Sequence, residues 1–211
     1  MSSIELMQRL AIMGAVYPLN IAFDVDLVHK GLEPFSKSWK PYNPRKVNYG
    51  RWGLSLTSLD GQLTGVPDLD SLLEYNAQSG THYQELDFRM KTSVYKEVTE
   101  LSQLSELSDY LCRSHFIKLT RGGFFPPHRD SRPSSMNTFR LFSLLSHVDR
   151  RSFQFILDGR IVDFTPGRLY FINTLLEHSL VSFAENCTCL VLNVELCSPA
   201  VAFVEKSLLI V

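Results

Sequence analysis

The chain has 211 residues, of which 45% are hydrophobic and 20% are charged, and its formal net charge is −1. That length suits one domain with one hydrophobic core, and a charge so near zero excludes a global field that would attract nucleic acid or acidic lipid. No apolar run approaches the roughly 20 residues that a membrane span requires. We therefore expect a single domain over residues 1–211, with no nucleic-acid partner and no membrane partner.

The four cysteines do not form the pattern of a disulfide framework, because a chain of this size does not need one to build its core. They are Cys112, Cys187, Cys189 and Cys197. We expect reduced thiols in the core, and therefore a cytoplasmic protein.

The N-terminal part, residues 1–113, predicts a mixture of helices and strands. Ile4–Met13 carries apolar residues at helical spacing and predicts a short amphipathic helix. Residues 21–28 alternate between apolar and polar side chains, which is typical of a half-buried strand. Gly50–Ser58 predicts a second strand with Trp52 on its apolar face.

The region between this strand and residue 114 predicts two helices separated by a loop. Asp68 is placed to cap a helix that runs to Asn76. Residues 77–92 are polar and aperiodic, which predicts a loop and a lid over a pocket. Ser93–Leu111 has apolar residues at helical spacing and predicts a long helix.

From residue 114 onward the pattern changes to short strands joined by turns. Asp158-Gly159 is a strong signal for a hairpin. The predicted strands are 115–119, 139–145, 153–157, 160–164, 168–172, 180–183 and 188–195. Such a series predicts a two-sheet jelly roll over residues 114–197, with the earlier helices packed outside, in a mainly β (α+β) fold.

The segment Arg121–Asp130, RGGFFPPHRD, contains the candidate metal ligands. On an extended backbone His128 and Asp130 project to the same face with Cα atoms about 6.6 Å apart. The glycines and prolines before them predict a stiff loop that aims both side chains. With a second histidine from elsewhere they form a set that suits non-haem Fe(II) and oxygen chemistry.

A second tripeptide of the same form, His147-Val148-Asp149, is the rival candidate. It follows an apolar strand and leads into Arg150-Arg151, which is the context of a solvated turn. We therefore favour His128 and Asp130 as the metal ligands.

Arginine is concentrated in residues 121–168, which hold eight arginines, four aspartates and neither lysine nor glutamate. Arginine without lysine favours fork-like recognition of carboxylates or phosphates. Arg129, Arg132 and Arg168 are candidates for contacts with a substrate, and positions on a solvated strand surface are the alternative. Trp52 belongs either to the core or to the wall of a substrate pocket.

The C-terminal half, residues 115–197, resembles the Fe(II)- and 2-oxoglutarate-dependent oxygenases. Within that superfamily it is most similar to the branch of the aspartyl/asparaginyl β-hydroxylases and the bacterial proline hydroxylases. The residues that carry the resemblance are His128-x-Asp130, the strand with Arg140, the run from Pro166 to Asn173 that leads to Glu177-His178, and Arg51–Leu56.

The resemblance implies a double-stranded β-helix, which is the jelly roll predicted above. It also implies that Fe(II) binds His128, Asp130 and His178, and His178 follows Asp130 by 48 residues. The cosubstrates would be 2-oxoglutarate and O₂. The substrate would be a small-molecule amino acid or a peptide residue, which the enzyme would hydroxylate.

One feature of that branch is missing, because no arginine follows His178, where the branch binds the distal carboxylate of 2-oxoglutarate. We expect Arg140 to take this role, with Thr188 donating a hydrogen bond. Two other functions remain open. One alternative to the oxygenase is a non-catalytic jelly-roll module that has lost 2-oxoglutarate binding. The other is a metal-dependent cupin-type enzyme that uses no oxoacid.

Overall fold

The computed structural model describes residues 1–130 and 136–209. Its α-helices are α1 (Ser3–Ala11), α2 (Val25–Leu32), α3 (Leu72–Ser79), α4 (Ser93–Glu97) and α5 (Ser198–Lys206). Its strands are β1 (Val16–Ala22), β2 (Lys40–Pro41), β3 (Arg51–Ser55), β4 (Thr57–Ser58), β5 (Met90–Lys91), β6 (His115–Leu119), β7 (Phe124–His128), β8 (Thr138–Leu144), β9 (Phe153–Leu157), β10 (Arg160–Val162), β11 (Arg168–Ile172), β12 (His178–Ser182) and β13 (Cys187–Glu195).

Two antiparallel sheets form the body of the fold. The larger has the order β1-β11-β8-β13-β6-β3-β2, and the smaller has the order β10-β9-β12-β7. Strands β6 to β13 pass between these two sheets, with only the hairpin β9-β10 staying in one of them. This alternation makes the fold a double-stranded β-helix, as the sequence predicts.

Two hydrophobic cores lie on opposite faces of the larger sheet. The outer core packs the helices against it and includes Leu10 of α1, Val28 of α2 and Leu190 of β13. The inner core lies between the sheets and includes Phe142 and Phe155. Helices α1, α2, α4 and α5 therefore cover the outside of the larger sheet, whereas Leu72 and Leu73 of α3 line the space between the sheets.

The predicted strand over residues 21–28 is wrong in its second half, where α2 begins at Val25. The side chain of Asp24 accepts hydrogen bonds from the backbone N–H groups of Asp26 and Leu27, which is the contact of a helix N-cap. The buried residues of α2 are three and four apart. The alternation of apolar and polar side chains in residues 25–28 thus reflects the first turn of α2, whose buried face begins at Val25.

The long helix predicted over Ser93–Leu111 is also wrong, because α4 ends at Glu97 and a 3₁₀ helix spans Thr99–Tyr110. Its buried residues Leu101, Leu104 and Leu107 are spaced by three, which is the period of a 3₁₀ helix. Such spacing is compatible with both helix types, so the pattern alone did not separate them.

The region before it also differs from the prediction in detail. The cap of α3 is Ser71, whose hydroxyl accepts the N–H of Glu74, whereas Asp68 is buried before the helix. Residues 77–92 include the end of α3, a 3₁₀ turn at Glu85–Asp87 and β5. The side chain of Phe88 is fully buried, so this segment is anchored to the core at that point.

The predicted loop before His128 is a strand in its second half, namely β7. It is an edge strand of the smaller sheet, paired only with β12 among the described residues. An edge position tolerates one of Pro126 and Pro127, because every second N–H of an edge strand faces solvent, and the register shift between Phe125 and His128 accommodates the other. His128 therefore has the extended backbone that the sequence predicts, because it belongs to a strand that pairs with β12, and Asp130 follows the end of that strand.

The four cysteines are free thiols, and three of them are buried, as predicted. In the two described stretches of the chain, no helix has the length and apolar character that crossing a bilayer demands.

Candidate metal centre

Two neighbouring strands of the smaller sheet bring the three candidate ligands together. β7 and β12 are antiparallel, and His128 is the register partner of His178. Asp130 follows the end of β7, where its backbone N–H donates to the carbonyl of Thr174. The three side chains therefore meet at the end of β7 and the beginning of β12, at one mouth of the space between the sheets.

The donor atoms converge on one point. Asp130 Oδ1 lies 3.4 Å from His128 Nε2 and 3.7 Å from His178 Nε2. One ligand atom from each of the three residues lies within 4.8 Å of the others. Two imidazole nitrogens and one carboxylate oxygen on one side of an ion leave open positions, so these donors fit Fe(II) as the sequence pattern required.

The other ring nitrogen of each histidine is bound to the backbone. His128 Nδ1 lies 2.7 Å from the carbonyl of Pro126, and His178 Nδ1 lies 3.1 Å from the carbonyl of Leu176. Because a carbonyl only accepts hydrogen bonds, Nδ1 carries the proton in both rings. Each Nε2 then turns an unprotonated lone pair toward the site, which is the form that binds a metal.

Asp130 divides its two oxygens between the histidines and an arginine. Oδ1 faces both imidazoles, while Oδ2 lies 3.0 Å from Nη2 of Arg140. The residue as a whole is exposed, but its side chain exposes only 19% of its surface. Arg140 therefore orients the carboxylate so that one oxygen is left to face a metal.

The electrostatic balance favours the metal-binding forms. Burial alone would raise the pKa of Asp130, but the Arg140 guanidinium holds that pKa well below its usual range. Burial lowers the pKa of His178 to about 4. At neutral pH the carboxylate is thus charged and His178 is neutral.

Arg140 is itself held by a polar network that crosses the larger sheet. Its Nε and Nη2 donate to Asn193 Oδ1 at 3.2 and 2.9 Å. Asn193 Nδ2 donates to Glu85 Oε2 at 2.9 Å. Glu85 accepts two hydrogen bonds from Arg113, at 2.9 and 2.8 Å. This chain of contacts fixes Arg140 from behind.

The metal centre opens into a cavity of about 280 Å³ between the two sheets. Its polar wall is formed by the triad together with Glu85, Arg113 and Arg140, and its apolar wall includes Ile117, Phe142, Phe155 and Val191. A second cavity of about 450 Å³ shares Glu85, Asp130, Arg140 and Thr174 with the first. Cavities of about 280 and 450 Å³ suit a small acid or a single amino-acid side chain.

Two predicted site residues lie on the opposite side of the larger sheet from the cavity. Trp52 and Thr188 are both register partners of Lys118, whose neighbours in the strand belong to the inner core. Trp52 is 40% exposed, and the Thr188 hydroxyl donates to the carbonyl of Asn186. Alternation along a strand therefore turns both side chains away from the cavity.

Neither of the two remaining arginine candidates that the structure describes lines the cavity. Arg129 is exposed between His128 and Asp130. Arg168 donates from Nη1 to the carbonyl of Leu19 at 3.3 Å and does not line the cavity. Arg132 lies outside the described residues.

The rival tripeptide lies in a solvated turn, as expected. His147 is 69% exposed and its Nε2 lies 3.8 Å from Asp26. Asp149 accepts the backbone N–H groups of Arg151 and Ser152 within its own turn. Neither side chain belongs to the group of donors around His128.

The residues that support Arg140 from behind are not predicted from the sequence. A role for Asn193 could have been predicted, because it is a polar residue within the mostly apolar strand β13, where a buried amide needs hydrogen-bond partners. Roles for Glu85 and Arg113 could not have been predicted, because their contact joins segments 28 residues apart in the sequence.

No protein-family model matches the sequence, and no curated protein matches it. Among solved structures, an oxidoreductase of the 2OG-Fe(II) oxygenase family from Burkholderia pseudomallei is 14% identical, with a TM-score of 0.48 over 93% of this chain and 91% of that chain. A prolyl-4-hydroxylase from Pseudomonas putida is 16% identical, with a TM-score of 0.45 over 92% and 97% of the two chains.

An RmlC-like cupin from Shewanella frigidimarina is 15% identical, with a TM-score of 0.30 over 40% of this chain and 66% of that chain. The likeness to these proteins is one of fold. The passage of β6 to β13 between the two sheets by itself makes this chain a double-stranded β-helix protein with a cupin-like jelly roll.

Proposed function

We propose that this protein is an Fe(II)- and 2-oxoglutarate-dependent oxygenase that hydroxylates an amino acid or a peptide residue. The observation that carries the proposal is the convergence of His128 Nε2, His178 Nε2 and Asp130 Oδ1 at the mouth of a cavity. Bound Fe(II) would activate O₂ there, with 2-oxoglutarate supplying the electrons and leaving as succinate and CO₂.

The side chains of this protein have separate tasks in that reaction. His128, Asp130 and His178 would hold the metal through atoms whose protonation is already correct. Arg140 keeps Asp130 oriented and lines the cavity, and we propose that it also binds the cosubstrate, whose distal carboxylate the sequence predicts as its ligand. The aromatic wall with Phe142 and Phe155 excludes water from the reacting atoms.

The substrate class follows from the size of the site. The two adjoining cavities share Glu85 and Arg140, whose charges are already matched by Arg113 and Asp130. Their volumes of about 280 and 450 Å³ suit a small acid or a single amino-acid side chain. The free thiols support a reducing, cytoplasmic location.

The proposal is tested first by anaerobic titration of the purified protein with Fe(II) or Mn(II). His128→Ala, Asp130→Ala and His178→Ala are each expected to lose at least about 10-fold in metal affinity, because a set of three ligands has no spare member. His147→Ala is the matched control and should bind metal like the wild type. Metal loss in His147→Ala with unchanged binding in His128→Ala would contradict the assignment.

The second arm measures succinate release from 2-oxoglutarate with Fe(II) and O₂. Iron-dependent release supports the oxygenase. Metal binding without release would support a cupin-type enzyme that uses no oxoacid, and absence of both would support a non-catalytic jelly-roll module.

A further inference from the structure

Helix α3 borders the metal cavity and is fixed there by polar contacts. Arg45 pairs with Asp70, just before the helix, and Arg45 Nε lies 3.0 Å from Glu74 Oε2. Lys46 Nζ lies 3.0 Å from Glu74 Oε1, and the hydroxyl of Ser71 caps the helix. A surface helix usually buries an apolar stripe, but no residue of α3 is buried. Its apolar side chains are therefore not used by the core.

The two leucines of α3 face the cavity instead. Leu72 and Leu73 both line the metal cavity, and Leu72 also lines the second cavity. Leu73 is 82% exposed, and Leu72 is only partly buried. A scattered exposed leucine needs no explanation, but these two are adjacent and border the cavity that contains His128, Asp130 and His178. A ligand in that cavity would remove them from water.

The arginines and acids that line the same cavity already have partners. Arg140 Nη2 lies 3.0 Å from Asp130 Oδ2, and Arg113 donates two hydrogen bonds to Glu85. Arg140 is also the residue to which we assign the cosubstrate. A charged side chain of the substrate would lose its hydration there without gaining a free partner among the described residues, which is unfavourable. An apolar side chain has no such cost.

The leucines also favour an apolar group directly. When an apolar side chain packs against an exposed leucine, both partners lose apolar surface to water, and the gain in free energy is roughly proportional to that area. A polar side chain of the same shape would give up hydrogen bonds to water against a surface that has neither donors nor acceptors. The wall formed by Leu72 and Leu73 therefore discriminates between side chains by their polarity.

We propose that Leu72 and Leu73 form an apolar subsite that receives the aliphatic side chain of the substrate. This inference rests on the proposed function and narrows its substrate class from any amino acid to those with an aliphatic side chain. Leu73 is the main specificity-determining residue, because it is the more exposed of the two and has the larger apolar area to bury against a ligand.

The test compares two probes whose side chains have nearly the same shape and differ in polarity, namely N-acetyl-L-leucinamide and N-acetyl-L-asparaginamide. Each is titrated anaerobically into the protein loaded with Mn(II) and 2-oxoglutarate, and the ratio of the two affinities is measured for each variant. The wild type should prefer the leucine probe by at least about 10-fold, which corresponds to about 1.4 kcal/mol. Leu73→Asn should reduce this ratio by at least about threefold, and Leu73→Met should retain most of it.

Leu27→Asn is the matched control, because Leu27 is 48% exposed on α2, which packs on the outside of the larger sheet. It should leave the ratio at the wild-type value. The side chain of Leu73 does not belong to the core, so its replacement should not disturb the fold. Since the ratio is taken within one variant, partial loss of folded protein also cancels from it.

A wild type that binds both probes equally, prefers the asparagine probe or binds neither would overturn the subsite, and so would an unchanged ratio in Leu73→Asn. These outcomes leave the binding of metal and cosubstrate, and with it the proposed function, intact. Failure of 2-oxoglutarate to bind the Mn(II)-loaded protein would overturn the proposed function instead, and the same comparison without 2-oxoglutarate would then decide the subsite.

Discussion

At the scale of single residues, buried charges in this protein are matched one by one, and the exceptions are informative. Asp130 is matched by Arg140, and Glu85 by Arg113. Asp68 is 2% exposed, and its closest side-chain donor is the Ser55 hydroxyl, 3.5 Å from Oδ2. Burial, together with the charge of Asp60, raises the pKa of Asp68 to about 6. This carboxylate therefore works against the fold at neutral pH.

We predict that Asp68 makes the protein less stable as the pH rises. A carboxyl whose pKa is about 6 in the fold and 3.8 when unfolded loses its proton more readily in the unfolded chain, so its destabilising effect begins near pH 4 and is complete above pH 6. Between pH 4 and pH 7 the free energy of unfolding of Asp68→Asn should rise relative to that of the wild type by up to about 3 kcal/mol.

Denaturant unfolding at several pH values measures this difference. Asp163→Asn, at a side chain that is 67% exposed, is the control and should show no such trend. A difference between Asp68→Asn and the wild type that stays constant with pH would refute the assignment of the charge.

At the scale of elements, the position of β7 depends on a close approach of two backbone segments. Gly50 and Gly123 lie against each other, and Thr120 N–H donates to the carbonyl of Gly50. A Cβ atom on Gly123 would lie 2.5 Å from the Gly50 carbonyl oxygen and 2.9 Å from that of Thr120. Because both obstacles are backbone atoms, only glycine allows β7 to begin there and deliver His128 to its place.

We predict that Gly123→Ala lowers the free energy of unfolding by about 1–3 kcal/mol, the range for steric overpacking. It should also weaken Mn(II) binding, because β7 must shift relative to β12. The control is Gly31→Ala in α2, where a Cβ would meet Val98 at an ordinary 3.4 Å and alanine favours the helix. Thermal unfolding and metal titration of both variants check the prediction, which fails if Gly123→Ala behaves like Gly31→Ala.

At the scale of the whole molecule, the candidate metal site exists only when the fold is complete. His128 and His178 come from different strands, and Arg140 reaches Asp130 from the other sheet. The unfolded chain separates Asp130 and His178 by 48 residues. A metal that binds these residues therefore binds the native state and shifts the folding equilibrium toward it.

We predict that Mn(II) at 100 times its dissociation constant stabilises the wild type by about 2.7 kcal/mol, which corresponds to roughly 5–10 °C in the unfolding temperature. His178→Ala should show no such shift, His147→Ala should show all of it, and a chelator should reverse it. The measurement is thermal unfolding followed by circular dichroism. An equal shift in His178→Ala would place the metal elsewhere.

The sequence by itself determined the features that depend on neighbours along the chain. Alternation and turn residues predicted most strands of the jelly roll, because side chains in a strand alternate between faces wherever one face is buried. The spacing of His128 and Asp130 predicted a shared face. Alternation with Phe139 and Leu141 placed Arg140 between the sheets, where it lines the cavity.

Only the tertiary structure decided the features that depend on which segments meet. The start of α2 and the 3₁₀ helix at Thr99–Tyr110 had patterns compatible with more than one element, and packing against the larger sheet selected among them. The partners of Arg140, namely Asp130 and Asn193, come from distant parts of the chain. Charge alone shows that an arginine needs an acceptor, but the position of that acceptor is a property of the folded chain.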